Sequence, residues 1–425
     1  MLSLHQLAAG LSAFGFVLAV AAAEIDDGDR LRREALDGNA EAQFALGGEF
    51  FSGTNRPGNL ELALYWFRRA AEQNHPGAQY NLGICLLNGW GMTRNPAAAA
   101  HWLNRAAEAG MPAAALAAAE LRGSGYPGGE DNSVNYPGIP PDPAGELAEL
   151  RRLTQTGYPP ARKRLIRKLL EDSSGAGAVE ARNLLSAATA ATDADPELLV
   201  WYADMLLSGT GGASDAEGAI LLLERAMKLG SAEATGKLGR ACEFGLGIAP
   251  DPVRGFELIR AAAEAGDPVS LVRLGRHRLL GEMTPHDPAG ALDCFRRAEA
   301  AGAPEAITAL GDCFRSGIGV PADPGEAFRC YERAAKLGDN AARFKLGLCC
   351  LEGTGVDPDP ATANFWFKAA AAEGHVEAMR ELGVSMLSGR GIERDQETGV
   401  ALLRRAAAAG DSEAGTILFN QSSDK

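Results

Sequence analysis

The sequence predicts an all-α protein: an α-α superhelix, or solenoid, of about ten helix-turn-helix repeats. A Leu-Gly marker recurs as Leu46 and Gly47, Leu82 and Gly83, Leu238 and Gly239, Leu274 and Gly275, Leu310 and Gly311, Leu346 and Gly347, Leu382 and Gly383, and each of the last four steps is 36 residues. Columns of turn, capping and small residues keep the same register. A chain of 425 residues also exceeds what one hydrophobic core normally serves, and 52 glycines beside abundant Ala suit short helices broken by tight turns.

The elements follow in chain order. Residues 1–23 carry no Asp, Glu, Lys or Arg, and an apolar run from Leu7 to Val20 ends in Ala21, Ala22 and Ala23, which reads as a secretory signal peptide with small residues at the cleavage point. No other segment approaches the roughly 20 apolar residues a membrane span needs, so no integral membrane span is expected. The leader predicts a periplasmic or secreted protein, and its weak positive n-region leaves a cytosolic protein with an apolar leader helix as the alternative. Residues 24–37 supply an N-terminal cap helix, with Ile25 to Leu36 as its amphipathic stretch. Residues 40–122 hold repeats one and two and the start of the third; 123–141 form a Gly/Pro-rich insertion loop; 142–196 hold degenerate repeats three and four. There the period carries from Leu238 back to Tyr202 and Ile166 and from Leu82 on to Ala118, leaving a step of 48, one period plus 12. Residues 197–413 hold repeats five to ten, and 414–425 a C-terminal cap, from Ala414 to Phe419, with a polar tail from Gln421 to Lys425.

Within a repeat, seven residues past the marker, stands Gly53, Gly89, Gly209, Gly245, Gly281, Gly317, Gly353 or Gly389, where a first helix would end on a left-handed residue. Thirteen past it stands a capping side chain, among them Asn59, Asn95, Asp251, Asp323 and Asp359, often followed by Pro at a position whose missing amide hydrogen costs nothing. Twenty past it comes Trp66, Trp102, Leu222, Leu258, Cys294, Cys330, Trp366 or Leu402, with Ala four further on. Helices of roughly a dozen residues are unstable alone, so the units must stack and share one interior.

The fullest copy runs Ala342, Leu346, Gly347, Gly353, Gly355, Val356, Asp359, Trp366, Ala369, Ala370, Gly374. It resembles the Sel-one-like repeat (SLR) family, kin of the tetratricopeptide repeat, over about residues 40–420. The resemblance implies a right-handed superhelix acting as an adaptor for membrane-associated or periplasmic complexes. Ala118 and Ala119 in place of Leu-Gly, and Val179 in place of a cap, depart from the pattern.

Chemistry finds little footing. A net charge of −14 repels phosphate backbones, so no nucleic acid is expected. His5, His75, His101, His277, His286 and His375 show no metal-binding spacing, CxxC is absent, and the Gly-x-Gly pairs are repeat turns, so neither metal nor cofactor is expected. Ser422 and Lys425 lie in a polar tail with no core to tune a nucleophile. The seven cysteines sit at packing offsets and read as small buried hydrophobes, although Cys294, Cys313, Cys330 and Cys349 lie on successive helices where an oxidising compartment could bridge them.

Three surfaces remain as candidates. By analogy with tetratricopeptide arrays, the concave wall takes offsets −2, +2 and +5 from the marker. That gives an apolar aromatic end at Phe44, Phe51, Tyr80 and Leu87, and a charged end at Arg240, Arg276, Asp312, Arg315 and Arg380 able to grip carboxylates. A basic island at Arg162, Lys163, Arg164, Arg167 and Lys168 reads as a solvated helix face or a dock for an acidic partner or anionic surface. The 123–141 loop reads as a binding element or tolerated surface. The expectation is an exported, non-catalytic scaffold or adaptor for peptide or protein partners. The alternative is a weak β-lactam hydrolase or cell-wall glycan binder, as the resemblance to a cysteine-rich SLR branch implies.

Overall fold

The computed structural model describes residues 28–423 apart from 55–56, 132–133, 173–174 and 193; the leader assigned to residues 1–23 lies outside the described residues. Two compact units form, Met1–Leu184 and Leu185–Lys425. The first holds α1 (Gly28–Leu36), α2 (Ala40–Ser52), α3 (Leu60–Glu72), α4 (Pro76–Asn88), α5 (Pro96–Glu108), α6 (Pro112–Ser124), β1 (Gly129–Asp131), β2 (Val134–Tyr136), α7 (Pro143–Gln155) and α8 (Pro159–Glu171). The unit boundary falls within α9 (Ala178–Thr189). The second continues with α10 (Pro196–Ser208), α11 (Ala216–Lys228), α12 (Ala232–Phe244), α13 (Pro252–Glu264), α14 (Pro268–Leu280), α15 (Pro288–Ala300) and α16 (Pro304–Ser316). It ends with α17 (Pro324–Lys336), α18 (Asn340–Glu352), α19 (Pro360–Ala372), α20 (Val376–Ser388), α21 (Gln396–Ala408) and α22 (Ser412–Ser423). The marker lies in the first helix of each repeat, and within each unit first helices pack against their own second helix, as α12 on α13 and α14 on α15, and against the second helix before, as α14 on α13. This is the all-α repeat solenoid that the 36-residue period predicts.

Local chemistry sets the boundaries. Asp359 accepts hydrogen bonds from the Ala361 and Thr362 amides at 3.0 and 3.2 Å, Pro360 opens α19, and Gly353 ends α18 at φ 79°, a left-handed backbone that a side chain would strain. The first helices are capped too, a regularity the sequence pattern did not single out. Asn39, Ser231, Asp267 and Asp339 accept from backbone amides, and His75 and His375 do so through Nδ1. Both histidines also stack on the Phe two before the marker, Phe44 at 4.5 Å and Phe344 at 4.6 Å between ring centroids.

The marker glycine exists for packing. A Cβ on Gly47 would lie 2.7 Å from Phe67, on Gly83 2.7 Å from Leu103, on Gly275 2.5 Å from Phe295 and on Gly311 2.6 Å from Tyr331. The innermost column is therefore 21 past the marker, one beyond the Trp column: Phe67, Leu103, Leu223, Ile259, Phe295, Tyr331, Phe367 and Leu403 are all fully buried. Of the Trp column, Trp66, Trp102, Cys294 and Cys330 are buried, whereas Leu222, Leu258, Trp366 and Leu402 are half-buried.

The insertion is ordered rather than a plain loop. β1 and β2 form an antiparallel hairpin with Glu130 opposite Asn135, and Tyr126 bridges Ile139 below it. Arg68 on α3 holds Asp131 at 2.8 Å, Asn95 donates to the Glu130 carbonyl at 2.8 Å, and Tyr136 packs on His101 of α5. The C-terminal helix begins where Asp411 caps it through the Ala414 amide at 2.9 Å and runs to Ser423, past the expected start of the polar tail.

All seven cysteines are free and buried. Burial pushes the Cys85 thiol up to about 12 and those of Cys313, Cys330 and Cys349 up to about 11, far from the thiolate that attacks disulfides. Ellman's reagent at pH 8 is therefore expected to find no fast-reacting thiol in the native protein and all seven after denaturation without reductant; a lower denatured count means a bridge.

Candidate functional site

The aromatic end of the expected groove is core. Phe44, Phe51 and Tyr80 are 5%, 8% and 1% exposed and pack with Phe67, Leu82 and Leu103, while Leu87 is half-buried against the same cluster. The reason is periodicity: offsets −2 and +5 are seven residues apart and share one face of a 13-residue helix, and in these two repeats that face packs against the neighbouring aromatic and apolar side chains. These four residues form no open binding surface.

The basic island is largely spent internally. Arg164 meets Glu120 at 2.7 Å and Lys168 meets Glu146, a carboxylate 2% exposed, at 3.2 Å. Burial raises the Glu120 carboxyl above its ordinary range, with Arg164 pulling the other way. Lys163 and Arg167 also have interaction partners, and Arg162 is half-buried. The patch thus compensates carboxylates of α6 and α7, which composition over 146–172 alone cannot reveal.

The charged end divides in two. Asp312 accepts from Lys345 at 2.5 Å and from the Tyr331 hydroxyl at 2.7 Å, and Arg380 is held by Asp411, Glu413 and Glu381 at 2.9, 3.0 and 3.2 Å. Together with Asp204–Lys237 and Glu243–Arg273 at 2.6 and 2.8 Å, these pairs tie first helices of successive repeats. Opposite charges 30 to 33 residues apart were the legible signal for them.

Arg240 and Arg276 stand apart. Both are exposed, and among the described residues no hydrogen bond or ion pair engages either one. They line an open cavity of about 350 Å³ with Glu243, Val269, Val272, Arg273, His277, Leu280, Glu282 and Glu305. Burial lowers the Arg273 guanidinium, Glu243 counters this, and Arg240 and Arg276 add to the lowering, so three guanidiniums converge here. His277 is 8% exposed, its Nε2 is 3.6 Å from Glu243, and its Nδ1 has no hydrogen-bond partner. Arg315 is exposed and unpaired but lies outside this lining. Among the described residues no helix is long and apolar enough to cross a membrane, and no group of three or more candidate ligands could hold a metal ion.

With this geometry in view, the chain matches the Sel1 repeat over residues 40–75, 76–111, 196–231, 232–267, 268–302, 304–339, 340–375 and 376–411. Among solved structures it is similar to a protective antigen present in uropathogenic Escherichia coli strains that displays an SLR fold, at 26% identity over 93% of this chain and 82% of that one, with a TM-score of 0.54. It is also similar to a Sel1 repeat protein from Oxalobacter formigenes, at 23% identity over 92% and 89% with a TM-score of 0.46. An immunity protein from Pseudomonas aeruginosa aligns at 15% identity over 50% and 81%, with a TM-score of 0.38. Comparison with curated proteins gave no match.

Proposed function

The chain belongs to the Sel1 repeat family, and from that premise we propose that it is an exported, non-catalytic scaffold that holds a peptide or protein partner on its second unit. One observation carries this reading: along α14 the unit leaves an open cavity whose Arg240 and Arg276 make no ion pair among the described residues although Glu243, Glu282 and Glu305 share the lining, whereas Asp204, Asp312 and Arg380 on other first helices are paired. A charged side chain left unpaired in a cavity gains most from a partner that supplies the missing charge. The leader free of Asp, Glu, Lys and Arg supports export to the periplasm or outside the cell. The seven cysteines sit at packing offsets and are not paired repeat by repeat, unlike those of the cysteine-rich branch that motivates the hydrolase alternative.

Affinity capture with residue-specific crosslinking from the periplasmic fraction of the native host tests this. The expected result is a discrete protein crosslinked within residues 232–316 of the second unit. Recovery only from the cytosol overturns export. Saturable turnover of a reporter β-lactam by the purified chain overturns the scaffold reading.

A further inference from the structure

The cavity along α14 has a definite chemical polarity. Val269, Val272, Arg273, Arg276, His277 and Leu280 follow spacings of three and four, so they form one face of a single helix. Arg240 and Glu243 of α12 border that face, and Glu305 of α16 completes the lining. The apolar ends are open, Val269 being 56% and Leu280 67% exposed. Between them the free guanidiniums of Arg240 and Arg276 face the same cavity, while Glu243 is already occupied by Arg273 at 2.8 Å. The rise from Val269 to Leu280 is about 16 Å at 1.5 Å per helical residue, and residues one and five of an extended chain stand about 13 Å apart at 3.3 Å per step, so their side chains lean outward to reach the two ends. In an extended segment, residues one, three and five point to the same side.

We propose that this face is a recognition site for a short extended segment of a partner polypeptide that reads apolar, any, acidic, any, apolar. The central carboxylate lies between Arg240 and Arg276, and the outer side chains cover Val269 and Leu280. The inference rests on the scaffold reading above and deepens it by naming what the scaffold recognises. Glu282 and Glu305, also in the lining, set the limit on charge: a single carboxylate at the centre is complemented, whereas a run of negative charge meets two more carboxylates. That disfavours nucleic acid and anionic membrane surfaces and selects a peptide with one acidic residue flanked by apolar ones. Arg240 and Arg276 supply charge-assisted hydrogen bonds, and the apolar ends fix the register.

Fluorescence anisotropy with the full chain tests the site, using a labelled, end-capped Leu-Ser-Glu-Ser-Leu peptide and its Leu-Ser-Gln-Ser-Leu counterpart. The expected result is saturable binding of the first and about tenfold weaker binding of the second, from the lost charge-assisted bonds. In the Arg240→Ala, Arg276→Ala double variant that preference is expected to vanish. Both residues are exposed, so the variant keeps its melting transition. Val269→Ser with Leu280→Ser is expected to weaken both peptides while keeping their ratio. Equal binding of the two peptides by the unmodified protein, persistence of the preference without the two arginines, or no saturable binding overturns the site. If partner capture survives in the arginine variant, the scaffold reading stands without this site; if the unmodified chain captures nothing either, both fall.

Discussion

Phe367→Ala is expected to destabilise the second unit by about 3–5 kcal/mol, the range for emptying a fully buried aromatic position. Phe367 is 0% exposed, its ring centroid is 5.9 Å from that of Phe344, and a Cβ on Gly347 would lie 2.5 Å from its ring. Gly347 and Ala363 beside the ring are too small to refill the space, so it closes only as far as larger members of the cluster such as Met379 and Leu403 can shift. At roughly 2–4 °C per kcal/mol for a unit of this size, the melting transition falls by roughly 6–20 °C. The complementary change Gly347→Ala overpacks the same contact and costs about 1–3 kcal/mol. Combined, the two are expected to cost less than their sum, since the new methyl occupies part of the space the ring vacates. Thermal melts of the four proteins decide it: a fall below 2 °C for Phe367→Ala, or strict additivity, means that the glycine and the ring do not set each other's position.

The second large effect is expected at the C-terminal end. Arg380 joins Asp411, Glu413 and Glu381, and Asp411 is both 5% exposed at its side chain and the cap of α22. Arg380→Ala leaves that carboxylate buried without its guanidinium, which costs about 3–5 kcal/mol when a buried pair loses one member. The loss concentrates in the last helix, because repeat arrays couple mainly through nearest neighbours. Amide hydrogen exchange over residues 412–423 is therefore expected to quicken ahead of the rest of the second unit. Arg380→Lys rescues only part, since one ammonium cannot match the planar reach of a guanidinium to three carboxylates. Unchanged exchange in that helix would show that Asp411 is satisfied by the backbone alone.

The candidate site was half legible. Arg240 and Arg276 follow from the marker register, and both line one cavity. Phe44, Phe51 and Tyr80 follow from the same register and are core, because an offset names a direction on a helix and not the distance to the next one. Asp312 and Arg380 come from the same register but are neutralised by Lys345 and Asp411, partners that enter from the next repeat. His277, with its unpartnered Nδ1 at the cavity, gave no signal at all: an isolated histidine within a helix looks the same whether it faces solvent, a core or a cleft.

By itself the sequence determined the repeat, its length, its turns and its second-helix caps, because those depend on residues adjacent in the chain. Gly353 must end α18 and Asp359 must begin α19 whatever surrounds them. Tertiary structure alone decided that the marker glycine serves the ring 20 residues after it, that the insertion folds as a hairpin bound by Arg68, and which charges remain free. Those outcomes turn on distances between repeats, where a few ångströms separate a paired guanidinium from an open one, and a period of 36 carries no such distance.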